Sequence, residues 1–318
     1  MRKKYIIMDV DTGVDDSMAL MLAAAHPELE ILALTCTFGN NDVDVTTYNT
    51  LKVSELLGLD VPVGRGAVRP MLETPLDYSE GLGPLIHGRD GLGNAGSTLP
   101  EPVRRASTLT APDLMAKAIR EAPEKVTIAA TGPLTNVAAF LVSYPDLADR
   151  IEQIALMGGA AFGGNMAFSV EANIGHDPEA AAIVFRSRVR KVVFGLDATM
   201  GVYITDEKRE ELERLGDTVG RFLRSCLQPY ADIYRQLANW PGAVLHDSLP
   251  VAWLLDESAA SLRPAVVDIE LHGRYSRGAT VVSFDCAADT AVCRIAMAAD
   301  REKIVRMHLD AVKQFAKQ

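Results

Sequence analysis

The stretch KKYIIMDVDTGVDDSMAL (residues 3–20) carries an apolar run directly into a helical pattern, through a loop crowded with acids. Tyr5 to Met8 read as a strand buried on both faces, and Ser17 onward as a helix rich in Ala, Leu and Met. Gly13 supplies the tight turn between them. A strand that feeds a helix this closely is the first half of a βαβ unit, whose return strand must lie parallel to the first. Between them Asp9, Asp11, Asp15 and Asp16 place four carboxylates within eight residues.

The pattern repeats along the chain. LEILALTCT (29–37), KVTIAAT (125–131), IEQIALMGG (151–159) and KVVFGLD (191–197) alternate with 3.6-period segments such as DLMAKAIREA (113–122) and DPEAAAIVFRS (177–187). The alternation predicts an α/β fold, a mostly parallel central sheet with helices on both faces. AVVDIELHGRYSRGATVVSFD (265–285) reads as a small antiparallel hairpin near the C-terminus, and DREKIVRMHLDAVKQFAK (300–317) as a closing amphipathic helix. No repeat, low-complexity tract or Pro/Ser linker divides the chain, so residues 1–318 are expected to form one domain. Ligands of open α/β sheets bind beyond the carboxyl ends of the strands. The loops there gather Asp11, Asp15, Asp16, Asn40, Thr131, Asn165, Glu171 and Asn173.

Composition narrows the partners. A net charge of −10 repels phosphate backbones and anionic lipid, which argues against nucleic acid and membrane as partners. No apolar run reaches membrane-span length, and MRKKYIIMDVDTG meets acids before a signal-peptide core could form, so a cytoplasmic protein is expected. Cys36, Cys226, Cys286 and Cys293 form no CxxC pair and read as reduced small hydrophobes.

Four acids at one strand end raise one another's pKa unless a cation or a helix N-terminus compensates. The neighbouring donors are oxygens of Asp, Asn and Thr with no thiolate, which suits Ca²⁺ or Mg²⁺ over Zn²⁺ and, with many oxygens drawn from distant loops, leans towards Ca²⁺. The competing reading sets Asp15 and Asp16 in the first turn of a helix, offsetting its dipole and facing water. The chain has no GxxxxGK[ST] loop, no GxGxxG order and no GxSxG elbow. DVDTG also matches the DxDxT/V opening of haloacid-dehalogenase-like phosphatases, whose distal acidic pair has only FDCAAD (284–289) as a counterpart.

DVDTGVDDSMAL (9–20) resembles the DxDxGxDDxxAL signature of the inosine-uridine-type nucleoside hydrolases. The similarity continues through FGN (38–40), IHGRDGLGN (86–94), TGPLTNVA (131–138), LMGGAAFGGNMAFSVEANIGHDPEAA (156–181) and HD (246–247). Six blocks in order cover nearly the whole chain, although Thr12 stands where the family often has Pro.

The resemblance implies calcium-dependent hydrolysis of ribonucleosides to base and ribose. Asp11, Asp16, the Thr131 carbonyl and Asp247 would ligate Ca²⁺. Asp15 would be the general base that activates the calcium-held water as an oxocarbenium-like transition state forms. Asn40, Asn165, Glu171 and Asn173 would hold ribose hydroxyls, Met157 would line the ribose pocket and His87 would lie near the 5′-hydroxyl. His246 would protonate the leaving base, while Tyr234 and Trp240, with Tyr230, could stack on it or simply pack the core. A homodimer or homotetramer is implied. Two alternatives stay open: a non-catalytic nucleoside or ribose binder, and the phosphatase. The choice between purine and pyrimidine, expected to lie in loops near residues 74–90 and 225–246, is not set by the motifs.

Overall fold

The computed structural model describes residues 3–72, 82–214, 218–286 and 292–315, so part of the first of those two loops and part of FDCAAD lie outside the described residues. The opening stretch folds as β1 (Lys4–Val10) followed by α1 (Val14–Ala24), with Asp11 to Gly13 as the connection. Next come β2 (Leu29–Cys36), α2 (Val43–Leu56), β3 (Val63–Arg65), α3 (Leu82–His87), α4 (Ala111–Glu121), β4 (Val126–Ala130) and α5 (Thr135–Ser143). The middle of the chain holds β5 (Ile151–Met157), α6 (Ala172–His176), α7 (Pro178–Arg186), β6 (Lys191–Phe194), α8 (Leu196–Thr199), β7 (Tyr203–Thr205) and α9 (Asp206–Glu213). It closes with α10 (Thr218–Ala238), β8 (Gly242–Val244), α11 (Ser248–Leu255), β9 (Ala260–Ile269), β10 (Thr280–Ser283), β11 (Cys293–Ala299) and α12 (Arg301–Phe315).

Nine strands form one sheet in the order β10-β9-β11-β6-β5-β4-β1-β2-β3. From β11 to β3 every neighbouring pair is parallel, whereas β9 and β10 run antiparallel along one edge. The fold is therefore the α/β architecture the alternating pattern predicts, with the expected hairpin built into the sheet edge by β9–β11 pairing. A second, two-stranded sheet of β7 and β8 was not visible in the sequence, because three-residue strands carry no readable period.

Alternation along β1 divides the core. Ile6, Met8 and Val10 pack on one side of the sheet with α1, α10, α11 and α12, while Ile7 faces the other side with α4, α5 and α7. The chain runs from β1 outward through β2 to β3, then returns to lay β4 on the opposite side of β1. That reversal opens a crevice at the carboxyl ends of β1 and β4, the position at which open sheets bind ligands. Among the described residues, no helix is long and apolar enough to cross a membrane.

One buried group ties this core to pH. His308 on α12 is fully buried and neither ring nitrogen has a hydrogen-bond partner. Burial, then the nearby His26, holds it down to about 3 from its ordinary 6.5. The unfolded chain therefore takes up a proton below pH 6.5 that the native state refuses, and stability falls as pH drops from there towards 3. At pH 5 the cost is about 2 kcal/mol. His308→Leu is expected to move the acid unfolding transition, followed by circular dichroism, to lower pH; an unmoved transition would contradict this account.

Candidate active site

At the turn between β1 and α1, Asp16 reaches back so that its Oδ2 accepts the Gly13 N–H at 2.8 Å, as the acidic member of a capping box does. A Cβ on Gly13 would meet His87 Nδ1 at 2.5 Å and Asn40 Nδ2 at 2.7 Å, so glycine is what lets those two side chains close over the turn. Asp15 and Asp16 do occupy the first turn of α1, as the competing reading had it, yet they are 3% and 0% exposed and do not face water. Asp9 lies beneath the site, where its Oδ1 accepts Thr35 Oγ1 at 2.6 Å and Asn136 Nδ2 at 2.8 Å.

The acids converge with a partner from the far end of the chain. Side-chain oxygens of Asp15, Asp16 and Asp247 lie within 4.8 Å of one another, and Asp247 is brought there by the turn between β8 and α11. Asp11 stands beside them; its Oδ2 accepts the Asn40 N–H at 2.8 Å. Asp16 Oδ1 accepts Thr131 Oγ1 at 2.8 Å. Asp11 Oδ1 and Asp15 Oδ1 are buried without any hydrogen-bond partner. Such orphaned carboxylate oxygens are costly in a dry site.

The electrostatics follow from this. Burial first, then the charge of Asp16, pushes Asp15 up to about 7. Burial followed by neighbouring carboxylates raises Asp11 and Asp247 well above the usual range. Asp16 is raised by burial too, with the Gly13 and Thr131 hydrogen bonds opposing it. Among the described residues, no Lys or Arg lines the cavity to neutralise these acids. Hard oxygen donors, orphaned lone pairs and clustered negative charge fit a divalent cation, and the Thr131 carbonyl keeps a second lone pair after accepting Asn173 Nδ2 at 2.7 Å.

Above the acids lies a cavity of about 260 Å³ that includes Asp11, Asp15, Asn40, His87, Thr131, Met157, Asn165, Glu171, Asn173, Tyr230, Tyr234, His246 and Asp247 in its wall. Glu171 caps α6: its Oε1 accepts the Asn173 N–H and its Oε2 the Gly159 and Ile174 N–H groups, which leaves Oε1 spare capacity for a hydroxyl. Asn165 is exposed at the rim, its Oδ1 accepting the Ala172 N–H at 2.9 Å. His87 Nδ1 accepts the Val14 N–H at 3.2 Å and lies 3.8 Å from Asp15 Oδ1. Burial, then His246, drives His87 down to about 3, so its ring is neutral.

One wall is aromatic. Ring centroids step from His87 to Tyr230 at 5.3 Å, to Tyr234 at 5.0 Å and to His246 at 6.0 Å. His246 has a hydroxyl on each side, Tyr234 at Nε2 and Thr199 at Nδ1, both at 2.8 Å. Burial holds this imidazole down to about 4. A neutral ring so bracketed donates one hydrogen bond and accepts the other, so the two hydroxyls fix its orientation and tautomer. Trp240 is placed outside the cavity: beyond the end of α10 its ring packs edge-on against Tyr203 at 6.4 Å, in the β7–β8 corner. His176 and Met166 line the cavity without having been anticipated, because a lone His or Met in a motif block carries no sequence signal of its own. Among the described residues, the cavity wall also lacks the lysine that the phosphatase chemistry requires.

Residues 6–306 match the family model described as inosine-uridine preferring nucleoside hydrolase. A pyrimidine-specific ribonucleoside hydrolase RihA of Citrobacter koseri is 40% identical over 282 residues, 88% of each chain. The protein of that name from Shigella boydii is 38% identical over 98% of this chain and 99% of its own. Among solved structures, a purine-preferring ribonucleoside hydrolase from Gardnerella vaginalis superposes with a TM-score of 0.92 at 30% identity, covering 99% of both chains.

Proposed function

The chain belongs to the inosine-uridine preferring nucleoside hydrolase family, and from that premise we propose that it is a Ca²⁺-dependent hydrolase of pyrimidine ribonucleosides, releasing base and ribose. The observation that carries the reading is the pair of orphaned oxygens on Asp11 and Asp15, which with Asp16 and Asp247 stand at a cavity that no Lys or Arg lines among the described residues. The pyrimidine preference is supported by the relatives at 38–40% identity, whose names specify it.

Asp11, Asp16, Asp247 and the Thr131 carbonyl would hold the ion, and Ca²⁺ there would supply the positive charge that acidifies the attacking water and favours binding of the ribose diol. Asp15 takes the proton of that water as the bond to the base breaks and positive charge develops on the sugar ring. Asn40, Asn165, Glu171 and Asn173 orient the ribose hydroxyls, Met157 covers the ribose and His87 meets its 5′ end. On the leaving side the departing base takes a proton from the Tyr234–His246 pair, which Thr199 orients, and solvent restores that proton as the one taken by Asp15 is released. The same reading takes residues 1–318 as one domain working in the cytoplasm as a homodimer or homotetramer, with no nucleic-acid or membrane partner, in keeping with a net charge of −10.

The test is a reducing-sugar assay with uridine, cytidine, inosine, adenosine and their 2′-deoxy forms, with and without a calcium chelator. Ribose release that favours uridine and cytidine, stops with chelator and collapses for the deoxy forms is expected. Release untouched by the chelator would sink the metal, and no release from any ribonucleoside would sink the activity.

A further inference from the structure

The ribose cavity opens into a larger neighbour. A second cavity of about 430 Å³ adjoins the first, of about 260 Å³, and shares with it Ile86, Asn165, Tyr234 and His246. Asp11, Asp15, Thr131, Glu171, Asn173 and Asp247 line the first alone. The shared residues thus form a sill on the side away from the acids, where Tyr234 and His246 stand at the leaving base.

Beyond the sill the walls are apolar: Phe162, Leu196, Met200, Ile233 and Leu237 dominate. Among the described residues its one carboxylate, Asp197, is already engaged, accepting the Ala161 N–H at 2.7 Å and the Phe162 N–H at 3.1 Å. No Lys or Arg among the described residues lines this chamber, so none of them answers a phosphate or another anionic extension. Its chemistry matches hydrocarbon.

We infer that the chamber beyond the sill receives an apolar substituent carried on the nucleobase, which makes base-alkylated or base-arylated ribonucleosides better substrates than their parents. The inference rests on the hydrolase reading above and names a substrate class for it. An unsubstituted base reaches the sill and leaves the chamber to water, whereas a benzyl or comparable group displaces that water and buries apolar surface. Each buried methylene is worth about fourfold in binding. A chamber that also fixes the base for departure carries that gain into kcat/KM.

Steady-state kinetics of the calcium-loaded enzyme on uridine, cytidine, 5-benzyluridine and N4-benzylcytidine test it. At least one benzylated substrate is expected to exceed its parent in kcat/KM by about tenfold or more. Met200→Trp and Leu237→Trp, two independent ways of filling the chamber, should erase that advantage while leaving uridine and cytidine within about twofold. Parents cleaved as well as or better than both benzylated forms would overturn the inference, and so would fillings that depress parent and benzylated substrates alike. Ribose release from none of the four would defeat the hydrolase reading, and the inference with it.

Discussion

Asp15→Asn is expected to lower kcat by about 10²–10⁴-fold while the protein stays folded and keeps its cation. Asparagine conserves the shape of the buried side chain, so packing in the first turn of α1 is preserved. It removes the carboxylate that the proposed mechanism uses as its base. Asp16 has both oxygens occupied by Gly13, Asn40 and Thr131, whereas Asp11 and Asp15 each keep one buried oxygen without a partner, and the free Asp15 Oδ1 lies 3.8 Å from His87 Nδ1. The loss corresponds to about 3–5 kcal/mol of transition-state stabilisation. The variant should also be no less stable than the parent protein in the absence of metal, because one buried like charge has gone. Turnover within tenfold of the parent, measured on the calcium-loaded variant, would remove Asp15 from the role of base.

Asp247→Ala is expected to act through affinity. The residue arrives from the turn before α11, more than two hundred positions after Asp16, and its carboxylate completes the cluster with Asp15 and Asp16. Loss of a residue that merely orients a ligand typically costs 10–100-fold in metal affinity, and loss of a ligand should exceed that, so calcium binding is expected to weaken by roughly 10²-fold or more. Titration calorimetry reads this directly. At saturating calcium the variant should recover part of its kcat, since Asp15 is intact; unchanged affinity would show that the cation, if bound, is held elsewhere. The metal-free protein should gain stability from the change, as Asp247 is raised well above its ordinary pKa by burial and by Asp15, Asp16 and Asp11.

What could be read in advance depended on how local each signal was. The strand and helix alternation is a periodic property of contiguous residues, and it led correctly to the parallel sheet and its edge hairpin. The acids in DVDTGVDD were legible because four charges in eight residues demand compensation wherever they fold. Their environment was not legible: a first-turn acid facing water and one 0% exposed, as Asp16 is, look identical in sequence. The three-residue strands β7 and β8 escaped because two alternations are no pattern. Tyr234 and Trp240 lie six residues apart and look equally suited to stack on a base. Only the ending of α10 at Ala238 separates them, sending one ring to His246 and the other to Tyr203. Glu171 illustrates a further limit: the Asn173 and Ile174 N–H groups on its carboxylate are local cap donors, but the third, from Gly159, depends on how the loop after β5 folds back.

The dispersal of the acidic cluster along the chain has a consequence for biosynthesis. Residues 11 to 16 leave the ribosome among the first, while Asp247 follows only after most of the sheet has been made. Until then the nascent chain holds three carboxylates at one strand end without the turn that completes their cage, and such long-range closure is slow. Capture of the proposed cation would therefore be a late event in the life of each molecule. Free ion in the surroundings stabilises the finished fold by mass action and does little for its precursors. A cell short of the ion would make the protein at its usual rate and yet lose more of it to proteolysis, so abundance as well as activity should track the metal supply.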